Sequence, residues 1–408
     1  TDLLDVDFTF HNREKEKSFS LDNIRGKVHN FKIDSSLIAK PGFLFSKSID
    51  LTKSEYTIYS TDSMYTFSLK DIVISTGEER LDIGDFAIHP NYPKYTFSRE
   101  LGYQTDRMDV DFQGIKIRGL NFWDLLNDQK LNAIRVEVNN TRFEAFRDKR
   151  VPFPEWHTSP MPQDLLESLD FDLMIDTLWL NNARITYGEM VEKSVNPGEI
   201  HFSDMQVRLT NVTNDSMRIL RNPVMGLSAR GQIMNKGLMN AQLNLKLNHP
   251  SDTFAFHANL TRMNLPEFNS LSVNLFGVEI KSGNGSVDTV NIFGNKDYAI
   301  GHLYFPYRKF KIKMINRQKG NRGGIGDGIL TFLANNILLK SNNRRFGRPI
   351  RVGQIFYQRD PQKSIFNYLW KGVLSGVEST LGYNNREQRK EMKAYKQGLG
   401  NENPGGND

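Results

Sequence analysis

The side chains that most often carry out chemistry in proteins show no catalytic spacing in this 408-residue chain. There is no cysteine, which excludes a thiol nucleophile and thiolate ligands for a metal. A zinc site needs three or four converging ligands, and the histidines show no paired spacing of that kind. We therefore expect no metal site. We expect the eight histidines to lie on solvated strand faces or in turns; they are His11, His29, His89, His157, His201, His249, His257 and His302.

Paired carboxylates and a glycine-rich segment are the remaining motifs with a chemical interpretation. Asp109 and Asp111, like Asp5 and Asp7, are spaced to lie on one strand face, where solvated side chains are expected and not an acid and base pair. The glycines of 323–328 precede an apolar stretch, as in phosphate-binding loops, but the Gly-Lys-Ser/Thr ending is missing. We interpret this segment as a hinge. No Gly-x-Ser-x-Gly nucleophile motif occurs, and the sequence predicts neither an enzyme nor a cofactor.

Positive charge is concentrated near the C-terminus. The net charge is +6, but residues 305–371 contain 15 lysines and arginines against two aspartates, so the rest of the chain is acidic. A basic region predicts an anionic partner, either nucleic acid or a membrane surface. Phe310 alternates with Lys309 and Lys311, which places its ring on the face opposite the lysines, where it is not available to stack on bases. We therefore expect a membrane surface and no nucleic acid.

The elements that carry these side chains are predicted to be β-strands. Short segments rich in β-branched and aromatic residues, bounded by Gly, Asn, Asp or Pro, are typical of an antiparallel meander. Apolar and polar residues alternate most cleanly at 240–248, 253–260 and 308–314. We predict further strands at 4–10, 19–24, 28–33, 56–59, 65–74, 81–88, 108–112, 115–117, 134–138, 171–180, 183–187, 200–210, 225–233 and 350–357.

The chain divides into five predicted parts. These are an N-terminal β part (1–150), a proline-rich crossing segment (151–170), a second β part (171–316), a basic cap of helices and strand (317–383) and a flexible tail (384–408). Helices are predicted at 120–127, 162–169, 329–339 and, with an amphipathic pattern, 364–381. No apolar run approaches the ~20 residues that span a bilayer. The chain begins without a leader sequence, and we expect any targeting segment to be missing from it.

A series of short motifs follows in order along 171–316, with two more outside that range. The motifs are Gly198–Met205 (GEIHFSDM), Asn211–Asn214 (NVTN), Ala229–Met234 (ARGQIM), Asn240–Leu243 (NAQL), Leu260–Pro266 (LTRMNLP), Val278–Gly285 (VEIKSGNG), Ile24–Phe31 (IRGKVHNF) and Phe366–Gly372 (FNYLWKG). Together they resemble the AsmA-like family of bacterial envelope proteins, which is TamB-related and is similar to the bridge-like lipid transfer proteins. The likeness is to members of the Bacteroidota type.

The resemblance implies a mainly β fold, with a long curved antiparallel sheet that forms an apolar groove, short helices and an amphipathic C-terminal helix. It implies a non-enzymatic protein that binds lipid acyl chains and supports lipid transfer or outer-membrane biogenesis. The expected ligand is phospholipid or another envelope lipid, with the membrane surface and envelope proteins as partners. The expected location is periplasmic and membrane-associated, with the anchor helix missing from this chain.

The strand pattern supports the same interpretation, because one-sided strands with few helices leave a large apolar surface to be covered. We predict a lipid groove lined by Leu243, Leu245, Leu247, Phe254, Phe256, Leu260, Phe310, Ile312 and Met314. Lipid headgroups are expected to meet the basic residues Arg344, Arg345, Arg348, Arg351 and Lys371. The alternative is that the apolar residues fill the core of a β-sandwich surface or adhesion module that binds protein or glycan.

Overall fold

The chain is mainly β, as the sequence predicts. The computed structural model describes residues 2–12, 17–30, 48–315, 340–343, 347 and 349–382. Within them, the α-helices are α1 (Phe97–Leu101), α2 (Pro162–Glu167), α3 (Ser216–Arg221), α4 (Asn269–Phe276) and α5 (Ile365–Leu381). A π-helical turn (Asp124–Asp128) and a 3-10 turn (Leu265–Phe268) complete the helical elements of these ranges.

Two compact units make up the fold, and neither is a single stretch of sequence. The first unit contains Thr1–Phe153, Ser168–Gly188 and His201–Leu227. The second unit contains Pro154–Glu167, Glu189–Ile200 and Ser228–Asp408. The first change of unit, after Phe153, falls inside the segment that the sequence predicts to cross between two β parts.

Nine strands carry the first unit. They are β1 (Asp2–Asn12), β2 (Lys17–His29), β3 (Ser48–Tyr59), β4 (Tyr65–Ser75), β5 (Arg80–Pro90), β6 (Asp106–Arg118), β7 (Lys130–Val138), β8 (Asn140–Asp148) and, for most of its length, β9 (Asp172–Met190). Strands β1 to β6 pair antiparallel in chain order. β8 and then β7 continue the ladder along β6, and β7 pairs parallel with β9. The pairing is therefore mixed, although the sequence predicts an antiparallel sheet.

The second unit is a smaller antiparallel ladder. After β10 (Gly198–Thr213) and β11 (Val224–Ile233), whose residues are shared between the units, its strands are β12 (Gly237–Lys246), β13 (Phe254–Asn264), β14 (Val278–Gly294), β15 (Tyr298–Tyr304), β16 (Tyr307–Met314) and β17 (Val352–Gln358). β12, β13 and β14 are neighbours in that order. β14 then pairs with β15 along one half and β16 along the other, and β15 pairs with β17.

Helix α5 packs closely on one face of this second ladder. The hydroxyl of Ser364 accepts a hydrogen bond from the helix N-terminus, as a capping residue does. The backbone of α5 approaches the strands at Gly376, where an added Cβ would lie 2.8 Å from Ile355 and 3.0 Å from Leu303. Leu303 and Ile355, together with Ile292 of β14, are completely buried. The core of the second unit therefore lies between α5 and strands β14, β15 and β17.

Most predicted strands are present, but some of them are joined. The predicted strands at 108–112 and 115–117 are one strand, β6, and those at 171–180 and 183–187 are one strand, β9. The predicted strand at 19–24 and the start of that at 28–33 belong to one strand, β2, and residues 31–33 lie outside the described residues. β8, β14 and β15 were not among the predicted strand ranges. The predicted helix at 329–339 and the predicted tail at 384–408 lie outside the described residues.

Candidate functional site

Two adjacent rows of apolar side chains cross strands β3 to β6 of the first unit. Residues directly opposite one another in antiparallel strands have side chains on the same face of the sheet. The register places Tyr56, Leu69, Phe86 and Phe112 in one row. Two residues along each strand, the second row is Ile58, Phe67, Ile88 and Val110. We call these eight residues the apolar face.

The apolar face is only half-covered. Val110 is buried, but Ile58 is 45% exposed and the other six residues are half-buried. The rings of Phe86 and Phe112 stack with centroids 6.0 Å apart, so that the middle of the face is aromatic. Large apolar side chains in contact with water carry a free-energy cost that an apolar ligand removes. The surface is therefore suited to an apolar partner.

No helix described in the first unit packs along strands β3 to β6. The short helix α1 reaches the edge of the apolar face, where the ring of Phe97 meets Tyr65 edge-on at 5.2 Å. Tyr65 lies two residues before Phe67 and so shares its side of the sheet. Phe97 is buried at 1% exposure, and α1 thus closes one end of the face while leaving the two rows uncovered within this unit.

Apart from the buried Ala87, the residues that alternate with the apolar face are polar. Glu55, Lys70, Asp85 and Gln113 form the corresponding row on the other side of the sheet. Lys70 lies 3.6 Å from Glu55. Each residue of this row is the immediate sequence neighbour of a residue of the apolar face, which gives a matched set of positions for experiments. The four strands are thus amphipathic, with one apolar and one solvated side.

The solvated side continues into an ion-paired cluster around Asp109. Arg142 and His89 donate hydrogen bonds to the carboxylate of Asp109, at 2.7 Å and 3.1 Å. Burial opposes ionisation of Asp109, but these hydrogen bonds outweigh burial and hold its pKa below the usual value. Asp111 accepts from the same guanidinium at 2.6 Å. Asp109 and Asp111 therefore both bind cationic side chains of the same sheet.

Beyond the two rows the strands remain apolar, but the alternation changes phase. Asp71, Gly84 and Gly114 lie opposite one another across β4, β5 and β6, at a line where φ is 53° for Asp71 and 61° for Gly114. On one side of this line the apolar residues are those of the apolar face. On the other side, the apolar residues occupy the alternate positions of each strand, those that are polar next to the apolar face. They form two rows, Leu51, Ile74, Leu81 and Ile117, and then Ile72, Ile83 and Ile115. We call the line through Asp71, Gly84 and Gly114 the phase line.

The predicted groove residues at the start of the second ladder share one face, as expected. The register pairs Leu243 with Phe256 and Leu245 with Phe254. Leu243, Leu245 and Phe254 are buried, with exposures of 8%, 3% and 4%. The other three predicted groove residues in this region, Leu247, Phe256 and Leu260, are half-buried.

Helix α5 covers part of this second face. The ring of Tyr368 in α5 meets the ring of Phe254 edge-on at 5.7 Å. Phe254 also closes over Gly294, where an added Cβ would lie 2.4 Å from its ring. At Phe254 the predicted groove surface is therefore occupied by the protein's own helix, in the manner of an ordinary core.

The three predicted groove residues of β16 lie in different surroundings. Phe310 is packed against Tyr307, with ring centroids 5.7 Å apart, in a cluster that includes Leu381 of α5. Ile312 is half-buried opposite Ile280. Met314, at the end of the strand, is 40% exposed.

Of the predicted headgroup residues, Arg344, Arg345 and Arg348 lie outside the described residues. The guanidinium of Arg351 donates hydrogen bonds to the backbone carbonyls of Thr380 and Asn342, at 3.0 Å and 2.9 Å. A cation at the C-terminus of a helix is favoured by the helix dipole. In this arrangement Arg351 positions the end of α5.

Lys371 and Glu378 lie two turns apart on α5. Burial raises the pKa of Glu378 to about 7, and the positive charge of Lys371 acts in the opposite direction without cancelling the effect. A half-buried carboxylate on a helix that covers an apolar surface makes the packing of that helix dependent on pH.

The described residues hold no group of three or more His, Asp or Glu side chains placed to bind a metal ion. His257 and His302 share the amide of Asn291, at 2.6 Å and 3.0 Å, on a polar strand face. Among the described helices none is both long and apolar enough to cross a membrane.

Sequence reasoning missed the apolar face of the first unit. Its strands were predicted, and the alternation at Phe67 and Leu69 or at Phe86 and Ile88 was the available signal. What was missing was the register, since only cross-strand pairing shows that these residues form two continuous rows.

No model of a known protein family matches this chain, and no curated protein matches it. The resemblance to AsmA-like envelope proteins therefore stays a prediction.

Proposed function

We propose that this protein binds the acyl chains of lipids on the apolar face of its first unit and supports lipid transfer or outer-membrane biogenesis without enzymatic chemistry. The observation that carries the proposal is the half-covered state of the eight residues that form the face. In the second unit the comparable surface around Ile292 is fully buried beneath a helix of the chain. The difference supports a ligand, and not a core, as the partner of the apolar face.

The chemistry of the face favours a lipid tail over a glycan. Seven of its eight residues have aliphatic or phenylalanine side chains, and only Tyr56 carries a hydrogen-bonding group. Recognition of a sugar depends on polar groups that pair with its hydroxyls, because unpaired polar groups are costly to bury. An acyl chain makes no such demand and gains about 0.8 kcal/mol for each CH₂ removed from water. Several methylene groups along one row are thus enough for measurable binding.

The proposed setting is an envelope membrane, with phospholipid or another envelope lipid as ligand. This part of the proposal is supported by the sequence resemblance and by the basic residues 305–371, which favour an anionic membrane surface.

Site-specific photo-crosslinking tests the proposal. A photoreactive amino acid is introduced at Leu69, Phe86 or Phe112, and the purified protein is incubated with vesicles that contain a radiolabelled phospholipid. Crosslinks to lipid are expected at these three positions. The matched controls are the neighbouring residues of the polar row, Lys70, Asp85 and Gln113, which are expected to give little crosslinking.

Equal labelling of the two rows, or no labelling of either, would overturn the proposal. Native mass spectrometry of the purified protein provides a second readout, in which bound phospholipid is expected as a discrete added mass. Capture of a protein or glycan at the apolar face, with no lipid, would instead support the adhesion-module alternative.

A further inference from the structure

A small pocket on the second unit is lined by two arginines and an asparagine. Arg262 comes from β13, Asn284 from β14 and Arg308 from β16, and Pro306 and Tyr307 complete the lining. The register sets Asn284 directly opposite Arg308. All three polar side chains are exposed, so that the pocket is accessible from solvent.

These three side chains have no hydrogen-bond or ion-pair partner among the residues that the structure describes. In the first unit, by contrast, arginines such as Arg142 and Arg150 are paired, and each donates a hydrogen bond to a carboxylate at 2.6 Å. Two neighbouring guanidinium groups repel each other unless an anion lies between them.

The carboxylates nearest in sequence on β14 are engaged elsewhere. Asp288 accepts a hydrogen bond from the hydroxyl of Ser286 at 2.9 Å, and Glu279 accepts from Lys281 at 2.6 Å. Lys309 and Lys311 are exposed further along β16 and add to the positive charge of this strand. The described lining of the pocket therefore carries two guanidinium groups and no carboxylate.

We propose that Arg262, Asn284 and Arg308 bind a phosphate group, either free phosphate or the phosphate of a lipid headgroup. A guanidinium presents parallel N–H donors that match two oxygens of a phosphate. The amide of Asn284, between the two arginines, donates to a third oxygen. The site does not depend on the proposed lipid function, because none of its residues belongs to the apolar face.

Calorimetric titration with inorganic phosphate at low ionic strength tests the site. The wild-type protein is expected to bind phosphate saturably. In the double variant Arg262→Gln and Arg308→Gln, affinity is expected to fall by about 10-fold or more, since both guanidinium groups that donate charge-assisted hydrogen bonds to the phosphate are lost. The control is Lys236→Gln with Lys246→Gln, which removes the same charge from exposed positions of the second unit and is expected to leave binding unchanged.

The conservative variant Arg262→Lys with Arg308→Lys distinguishes a built site from a diffuse charge effect. It keeps the charge but loses the parallel donors, and its affinity for phosphate is expected to fall below that of the wild type. Absence of phosphate binding by the wild type, or an equal loss in the control variant, would overturn the proposal.

Vesicles identify the source of the phosphate. Binding to phosphatidic acid vesicles, but not to phosphatidylcholine vesicles, that is competed by inorganic phosphate and lost in the Arg262→Gln and Arg308→Gln variant assigns the site to a headgroup. Binding of inorganic phosphate without such vesicle binding assigns it to free phosphate. Failure of the apolar face to crosslink with lipid would leave both results unaffected, so the two proposals fail separately.

Discussion

The guanidinium of Arg351 is bound to the carbonyl oxygen of Thr380, with 3.0 Å between Nε and the oxygen. It also donates to the hydroxyl of Tyr307 at 3.2 Å, and so joins the last turn of α5 to strand β16. We expect Arg351→Met to lower the free energy of unfolding by roughly 2–3 kcal/mol, because acceptors of a charged donor lose their partner. Urea denaturation measures the change. Arg308→Met removes a guanidinium without a described partner, and an equal loss in both variants would contradict this account.

The close approach of α5 to the sheet predicts an order of effects for three glycines. An added Cβ at Gly353 would lie 2.2 Å from the carbonyl oxygen of Gly376, which is backbone and cannot move aside without displacing the helix. At Gly376 the contacts are 2.8 Å or longer, and at Gly372 the nearest is the flexible end of Ile292 at 3.2 Å.

We therefore expect Gly353→Ala to lower the melting temperature most and Gly376→Ala less. Gly372→Ala should be close to neutral, because alanine favours the helix by about 1 kcal/mol and offsets a mild contact. Thermal denaturation at one protein concentration measures the series. A larger loss for Gly372→Ala than for Gly353→Ala would show that the helix does not lie on the strand as described.

Glu378 predicts a pH dependence of stability. Its pKa is raised to about 7 by burial, above the ordinary value of 4.5, so the folded protein holds a proton that the unfolded chain has released. The stabilising contribution is thus complete below pH 4.5 and is lost as the pH rises to 7. At pH 8 we expect Glu378→Gln to be more stable than the wild type by about 3 kcal/mol.

Urea denaturation of both proteins at pH 5 and pH 8 measures this effect. At pH 5 the difference between them should be small, because the wild-type side chain is then protonated when folded. A difference of the same size at both pH values would mean that Glu378 does not titrate in this range.

The apolar face predicts a separation of stability from ligand binding. Ile88 is half-buried on that face, whereas Ile292 is completely buried beneath α5. We expect Ile292→Ala to cost roughly 2–5 kcal/mol of unfolding free energy, as in well-packed cores, and Ile88→Ala clearly less. Lipid retained after purification should fall in Ile88→Ala and not in Ile292→Ala that has been confirmed as folded. Equal destabilisation by the two substitutions would indicate that the apolar face is a core.

Much of the strand content could be predicted because a half-buried strand leaves a period of two in the sequence. At β16 the alternation is confirmed for Lys309, Lys311 and Lys313, which are exposed, and for Phe310 and Ile312, which are half-buried. Met314 at the end of the strand departs from the pattern, because it is 40% exposed. The amphipathic helix at 364–381 is confirmed as α5. Strand β8 was missed because Thr141 to Phe146 breaks the pattern with adjacent apolar residues, Ala145 and Phe146.

The candidate site was harder to predict, because it depends on which surfaces meet. The spacing of Gly372 and Gly376 shows that one face of α5 lacks side chains at two positions and can approach another element closely. It does not show that this face packs on Ile292 and Ile355. The strand pattern of the first unit likewise does not indicate that none of the described helices of that unit covers its apolar residues. Residues that alternate perfectly were chosen for the groove, and part of that surface is where the chain's own helix packs.

The phase line makes slippage between strands costly. In a sheet that alternates without interruption, a strand displaced by two residues keeps its apolar side chains on the correct side and loses little. At the phase line, Asp71, Gly84 and Gly114 must stay aligned. If one strand shifts, the residues next to the line pair polar side chains with apolar side chains on the neighbouring strand. The phase line thus favours a single register of strand pairing. It disfavours the misaligned pairing of long amphipathic strands that leads to aggregation.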